Sequence, residues 1–458
     1  MRAIFFLFIF GIVALIISSL LFVFIFKKHE IKKIEIEETL GWPMFKHDVY
    51  RSGNLFPSKI VPIIVPQLVL QPKRVTTGVW SVGSNAPENY ADRKIIEKND
   101  TFDPSPIFVD LDLDGIDEII TYYKNTVYNI TTGERPFKDF IMAVKYKENP
   151  SEIEKLAFGD VPYVMFWRFI LPRETHTSFA ASDLNNDNYP EIAFGCDDGN
   201  LYVLDKDGKL VFNFKTKDKV RSTPAIADID FDDKPEIIFG SDDGNLYVLS
   251  NEGKLKWSFK TKDKIESSPA IFVENKTVLI AFGSDDGNLY VLDGKGELIC
   301  KFVTNGKVRS SPLIYNDKII FGSDDQNIYI LNLNCNLVKK YVSGGKIRSS
   351  PALYNNKFII GSEDGKIYFF DEREIKSLQL SGPIFSTPTV VSNGVLVSTY
   401  DGKIYLVNED SSKLVREISN SKNFSCSLSI GNSFLPLYSC FFVTYDNEGE
   451  YAGFFATS

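Results

Sequence analysis

Histidine is almost missing from this chain, at three residues in 458, and methionine and tryptophan supply only four each. A metal centre built on imidazole ligands therefore has little to draw on. The five cysteines (Cys196, Cys300, Cys335, Cys426 and Cys440) are widely scattered and form neither a CxxC pair nor a ligand cluster. That argues against a disulfide scaffold and a thiolate metal site. A Cys426–Cys440 bridge stays open, and buried thiols are the expected state. An excess of basic residues is missing too. With 51 Lys+Arg against 60 Asp+Glu and a formal charge of -9, the chain lacks the field that releases counterions from DNA or RNA, so no nucleic acid is expected as a partner. What is plentiful is aromatic: 37 Phe and 21 Tyr within a 44% hydrophobic composition. Such a composition is globular and leans toward strands.

Only one long apolar run exists. Ala3 to Phe26 is 24 residues without a charge, and as a helix it spans about 36 Å, enough to cross the ~30 Å hydrocarbon layer. It is longer than a signal-peptide core and is followed by Lys27-Lys28-His29-Glu30 rather than a small-x-small cleavage site, so residues 1–28 are expected to be an uncleaved transmembrane anchor. Residues 29–65 follow as a stalk and entry segment, and residues 66–458 form the body. Lys27, Lys28, Lys32 and Lys33 outweigh Arg2, which by charge alone favours a cytoplasmic body. The N-x-[ST] sequons at Asn99, Asn129, Asn275 and Asn423 are as many as composition alone supplies and do not decide the side.

After Phe26 no helical period of comparable strength appears, and self-similarity takes over. Gly195-Cys-Asp-Asp-Gly-Asn-Leu-Tyr-Val-Leu recurs from Gly240 and Gly283, then more loosely from Gly322, Gly361 and Ser398, at spacings of 45, 43, 39, 39 and 37 residues. Periods of this size belong to repeat arrays. A second landmark keeps the same phase: Ser222-Thr-Pro224, Ser267-Ser-Pro269, Ser310-Ser-Pro312, Ser349-Ser-Pro351 and Ser386-Thr-Pro388. Ser105-Pro106, Ser178-Phe179 and Cys426-Ser427 mark further copies, making eight units. Each unit reads as four strands, as in Ala352 to Tyr354, Lys357 to Gly361, an Asp-Gly hairpin turn, Lys366 to Phe370, and a fourth strand such as Leu255 to Lys260. The third strand is apolar on both faces, as a sheet packed between sheets requires. The expected fold is all-β: an eight-bladed β-propeller of four-stranded antiparallel blades, preceded by one N-terminal transmembrane helix. The first unit carries an insertion between about Lys124 and Asp139. Residues 66–73 read as a lone fourth strand that completes the last sheet and latches the ring.

Leu255-Lys-Trp257-Ser-Phe-Lys, Ser267-Ser-Pro269 and Gly283-Ser-Asp-Asp-Gly-Asn-Leu-Tyr-Val-Leu292 together resemble the PQQ-like β-propeller repeat. That repeat occurs in quinoprotein dehydrogenases and in non-catalytic outer-membrane assembly lipoproteins. Gly41-Trp42-Pro43-Met44-Phe45-Lys46-His47-Asp48 is similar to the segment that precedes such propellers in surface proteins, and three acidic loops resemble FG-GAP/VCBS repeats. For a quinoprotein dehydrogenase the resemblance implies adjacent cysteines over the quinone, an acidic base and a central calcium. This chain has no adjacent cysteines, and the repeat tryptophans are mostly missing beyond Trp167 and Trp257. PQQ is therefore not an expected cofactor.

The acidic loops are Asp110-x-Asp112-x-Asp114-Gly-x-x-Glu118, Asp183-x-Asn185-x-Asp187-x-x-x-Glu191 and Asp228-x-Asp230-x-Asp232-x-x-x-Glu236. Oxygen side chains at positions one, three, five and nine suit a hard cation, and calcium fits better than magnesium. The alternative is a solvated turn capped by its own Asp and Asn. Before successive Ser-Pro landmarks stand Arg221, Glu266, Arg309 and Arg348, which would gather near the axis as a mostly cationic ring for a carboxylate, sulfated or phosphorylated partner. The alternative is that each Arg pairs with an Asp of a neighbouring Asp-Asp-Gly turn. The Asp pairs are turn residues, His47 and His176 have no triad partner, and Trp167 and Trp257 pack sheets. The functional expectation is a membrane-anchored, non-enzymatic, extracytoplasmic propeller that binds or scaffolds protein or glycan, with calcium-stabilised loops. The alternative is a PQQ-dependent dehydrogenase.

Overall fold

The computed structural model describes residues 104–457 except 115–116, 124–137, 147–162, 275, 392–393, 418–428, 433–437 and 447–448. The anchor at residues 1–28, the stalk, the latch at residues 66–73, the insertion after Lys124, Gly115, all four sequons and the Cys426 half of the Cys426–Cys440 bridge lie outside the described residues. Of the two compact units, Met1–Gly41 and Trp42–Ser458, every described residue belongs to the second. No helix among the described residues is long and apolar enough to cross a membrane.

Every described element is a strand. Seven four-stranded antiparallel sheets and one three-stranded sheet follow one another along the chain. Numbered one to eight, they open with Ile107–Val109, Ala180–Ser182, Ala225–Ala227, Ala270–Glu274, Leu313–Tyr315, Ala352–Tyr354, Thr389–Val391 and Ser429–Asn432. Sheet three shows the plan: Ala225–Ala227, Glu236–Gly240, Asn245–Leu249 and Leu255–Lys260 pair in sequence order. The tight return between its second and third strands needs Gly244 at φ 79°, a left-handed conformation that suits glycine. The second and third strands are buried on both faces and the fourth alternates between exposed and half-buried. The strands expected from the sequence around residues 255–260 and 352–370 coincide with those observed.

First strands of neighbouring sheets lie side by side, and Ser429–Asn432 of sheet eight lies beside Ile107–Val109 of sheet one. The Ser-Pro landmark supplies the bonds between them. Ser105 donates its N–H to Ser178 Oγ (3.1 Å), Ser178 to Thr223 Oγ1 (3.0 Å), Thr223 to Ser268 Oγ (3.1 Å), Ser268 to Ser311 Oγ (2.9 Å) and Ser311 to Ser350 Oγ (3.1 Å). These buried N–H groups lie outside the strand ladders, so a hydroxyl from the next sheet satisfies a donor that would otherwise be stranded.

The core lies between sheets. Each hydrophobic cluster takes residues from two successive sheets, such as Ala193 and Val203 of sheet two with Phe239 and Tyr247 of sheet three. A stacked pair recurs in sheets two to five: Phe194–Tyr202, Phe239–Tyr247, Phe282–Tyr290 and Phe321–Tyr329, with ring centroids 5.1–5.7 Å apart. The four Phe rings are fully buried, each contributing about 1.5–3 kcal/mol relative to exposure. Each Tyr hydroxyl donates to the second Asp of its own turn, as Tyr247 does to Asp243 at 2.7 Å.

At the outer edge an aromatic of one fourth strand rests on a turn of the next sheet. Trp167 covers Gly208 and donates Nε1–H to Lys206 O at 2.8 Å, and Trp257 covers Gly296 and donates to Gly294 O at 3.2 Å. Phe212 sits likewise on Gly253, where a Cβ would come within 2.4 Å of the ring. The expectation of buried thiols is corrected here. Cys196 is a buried thiol, but Cys300 and Cys335 form a disulfide with Cα atoms 5.9 Å apart. Cys300 stands in the aromatic column and Cys335, at φ 58°, in the glycine column, so a covalent link takes the place of ring on glycine between sheets four and five.

Candidate functional site: a charged belt and three acidic loops

The stretch that leads into each first strand passes the second-to-third-strand turn of the preceding sheet. Arg221 donates Nε–H to Asp197 Oδ1 (2.9 Å) and Nη2–H to Oδ2 (2.8 Å). Arg309 does the same to Asp285 (2.9 and 2.7 Å), and Arg348 to Asp324 (3.0 and 3.1 Å). A lysine two residues earlier joins each pair: Lys219 with Asp197 (2.9 Å), Lys307 with Asp285 (2.8 Å) and Lys346 with Asp324 (3.9 Å). Burial opposes ionisation of Asp197 and Asp285, but the hydrogen bonds from Arg221 and Arg309, with their lysines, outweigh it and hold both carboxyls below the usual range. Glu266 bridges along the belt, with Oε2 3.4 Å from Arg309 Nη1. Glu363 lies 3.3 Å from Arg348 Nε.

The four ring residues thus occupy equivalent places, and each arginine pairs with a turn aspartate. Each guanidinium fork is matched by one turn aspartate, and the lysines add charge beyond that pairing. The belt lysines and the first turn aspartates as their partners were not singled out from the sequence. The signal was present, since Lys219, Lys264, Lys307 and Lys346 all stand two residues before the ring position. His176 fills that position in sheet two, with Nε2 3.6 Å from Asp197 Oδ2.

The three acidic loops join first to second strands and share a backbone. Leu113, Asn186 and Phe231, each fourth in its loop, have φ of 60–63°. In each loop the ninth residue turns inward and accepts a backbone N–H: Glu118 from Leu111 (2.8 Å), Glu191 from Leu184 (2.8 Å) and Glu236 from Ile229 (3.0 Å). The first residue accepts from the fifth, as Asp183 does from Asp187 N–H at 3.2 Å. Oxygens of Asp110, Asp112 and Glu118 lie within 4.8 Å of one another, as do those of Asp228, Asp230 and Glu236.

Lysine enters two of these loops. Lys145, from the third strand of sheet one, is ion-paired with Asp112, with Asp114 (2.9 Å) and with Glu118 (3.6 Å). Lys256 lies 2.5 Å from both Asp230 and Glu236. In the second loop the Asn185 amide donates to Glu191 (2.8 Å) and Asp187 (3.1 Å). Burial, reinforced by neighbouring aspartates, pushes Glu118 and Glu191 up to about 7, and burial raises Glu236 less because Lys256 opposes it. The donor sets suit a hard cation in kind, while an ammonium already supplies one positive charge in the first and third.

Residues 225–381 match a family described as the lambda-carrageenase beta-propeller domain. Among solved structures, the computationally designed Ika8 protein is 12% identical with a TM-score of 0.52, covering 78% of this chain and 98% of its own. BamB from Moraxella catarrhalis is 13% identical with a TM-score of 0.51, covering 77% of this chain and 99% of its own. No curated protein matches the sequence. The fold is a β-propeller. At these identities the likeness to solved structures extends to the fold alone.

Proposed function

We propose that this propeller is a membrane-anchored, non-enzymatic binding or scaffolding module displayed outside the cytoplasm, with a protein partner foremost. The observation that carries the reading is an apolar stripe on the outer edge of sheets four and five. Leu298, Ile299, Val303, Leu337, Val338 and Val342 are 41–72% exposed on two fourth strands tied together by Cys300–Cys335. Adjacent exposed apolar residues of this kind mark interaction surfaces, and an outermost strand offers unpaired backbone groups to a partner strand. The charged belt is a second surface, with several partly exposed cations. Similarity to a carrageenase propeller domain supports a glycan as the alternative occupant of such a surface.

Closure into eight blades is part of the reading. It is supported by the contact of sheet eight with sheet one and by the three-stranded state of sheet eight, which residues 66–73 would complete. Extracytoplasmic display through a helix at residues 3–26 is supported by Cys300–Cys335, because disulfides persist in oxidising compartments. Calcium would be held by Asp110, Asp112, Asp114 and Glu118, by Asp183, Asn185, Asp187 and Glu191, and by Asp228, Asp230, Asp232 and Glu236. There it would stabilise the loops after Lys145 and Lys256 withdraw. The quinoprotein alternative gains no support from these comparisons.

Crosslinking in intact cells tests the reading. A partner crosslinked to the wild type should be lost from the double variant Val303→Glu/Val342→Glu, and an impermeant amine reagent should reach exposed lysines of the propeller such as Lys209 and Lys254. An unlabelled propeller in sealed cells would overturn the display, and undiminished crosslinking of the double variant would overturn the stripe.

A further inference from the structure

Among sheets two to five, one copy of the belt breaks the pattern. Asp197, Asp285 and Asp324 each take a guanidinium on both oxygens, always with Nε on Oδ1. In sheet three the arginine position is Glu266. Asp242 keeps its lysine, with Lys264 Nζ 2.9 Å from Oδ2, and its side chain is fully buried. Its Oδ1, the atom that accepts from Nε in the other copies, has no hydrogen-bond donor. A buried carboxylate oxygen left without a donor is costly and uncommon. Charge is displaced as well. Each Asp-Lys-Arg set sums to +1, whereas Asp242, Lys264 and Glu266 sum to -1.

We propose that this break is a docking site for the guanidinium of an arginine side chain presented by a partner protein, with one edge of the fork on Asp242 Oδ1 and Glu266 receiving a second nitrogen. The fold supplies the template, since three sibling positions hold an arginine fork on the same aspartate. Two of those siblings keep 22% and 18% side-chain exposure, so a group seated there is reached from solvent. Glu266, 17% exposed, stands at the same boundary 3.4 Å from Arg309, and would swing from that contact to receive the incoming nitrogen. A guanidinium fits better than calcium, which takes six to eight oxygens, because this place offers two carboxylates beside the Lys264 ammonium. A planar fork also suits two carboxylates better than a lysine point charge does. The inference deepens the binding-module reading and rests on the belt as a partner-facing surface.

The test uses the full chain in detergent and the probes acetyl-Gly-Arg-Gly-amide, its lysine counterpart and its citrulline counterpart, read by calorimetry and by the thermal midpoint. The arginine peptide is expected to bind at least tenfold more tightly than the lysine peptide, with no citrulline binding. Glu266→Arg fills the position from within, so it should raise the midpoint and abolish arginine-peptide binding. Asp242→Asn, a near-isosteric change, should abolish binding without that rise. Equal binding of arginine and citrulline, retained binding by Glu266→Arg, or a response to calcium in place of arginine would each overturn the proposal. If Glu266→Arg and Asp242→Asn still crosslink the cellular partner in full, the arginine site falls while the binding-module reading stands.

Discussion

Breaking the Cys300–Cys335 link is the most direct probe of how neighbouring sheets hold together. The cysteines are 35 residues apart in sequence. Loop-closure entropy for a loop of that length predicts that the link stabilises the native state by about 4 kcal/mol through its constraint on the unfolded chain. With an unfolding entropy of about 2.1 cal/mol/K per residue, a cooperative unit of roughly 350 residues should lose about 5 °C of thermal midpoint when the bond is absent. Cys300→Ser/Cys335→Ser, and the wild type under a reductant, should both show this drop by calorimetry. A sharper version exchanges one device for the other. Cys300→Trp/Cys335→Gly rebuilds the ring-on-glycine contact seen at Trp167/Gly208 and Trp257/Gly296, so it should exceed the double-serine variant in stability and be indifferent to reductant. If the Trp/Gly pair is no better than Ser/Ser, the equivalence of the two devices is wrong. If mass analysis of the purified chain finds two free thiols at these positions, the link itself is wrong.

Asp285→Asn should cost about 3–5 kcal/mol, because it removes the carboxylate partner from Arg309 and Lys307 in a buried setting, and denaturant unfolding measures it. Asp285 titrates below its ordinary 3.8 when folded, so its contribution is fully present above that value and is lost as pH falls through the folded pKa. The wild type should lose stability on acidification below about pH 4 more steeply than Asp285→Asn. Ser268→Ala leaves the buried Thr223 N–H without its acceptor, which should cost about 1–3 kcal/mol by the same measurement. Gly253→Ala combines φ 79° with a Cβ 2.4 Å from Phe212, so a stability loss of at least about 1 kcal/mol is expected in denaturant unfolding. Lys256→Met removes the ammonium from Asp230 and Glu236 and should tighten calcium binding at that loop in calorimetric titration, whereas weaker binding would count against a cation there.

The architecture was legible because it is written repeatedly. Recurrent Ser-Pro and Asp-Gly landmarks fixed the phase of four strands per copy, and Lys357–Gly361 and Lys366–Phe370 fall where that phase puts them. Both readings of Arg221, Arg309 and Arg348 were visible, since charge and register do not say whether a guanidinium faces solvent or a neighbour. The aspartates that receive them belong to the preceding sheet, 24 residues back. Cys300 and Cys335 were missed for a related reason. Judged by spacing along the chain they look unconnected, but in aligned copies one stands under Trp257 and the other under Gly296. Lys145 escaped notice because it reaches its loop across a strand pairing, and the repeat offers no second copy of it.

The serine hydroxyls behind successive first strands have a consequence for how such a chain changes over time. Sheets two to five each present an acceptor on one flank and a donor on the other, so a duplicate of any of them would arrive with both junctions already compatible. A gain or loss of one such copy would then be limited by angular fit rather than by the need for a new hydrogen-bonding junction.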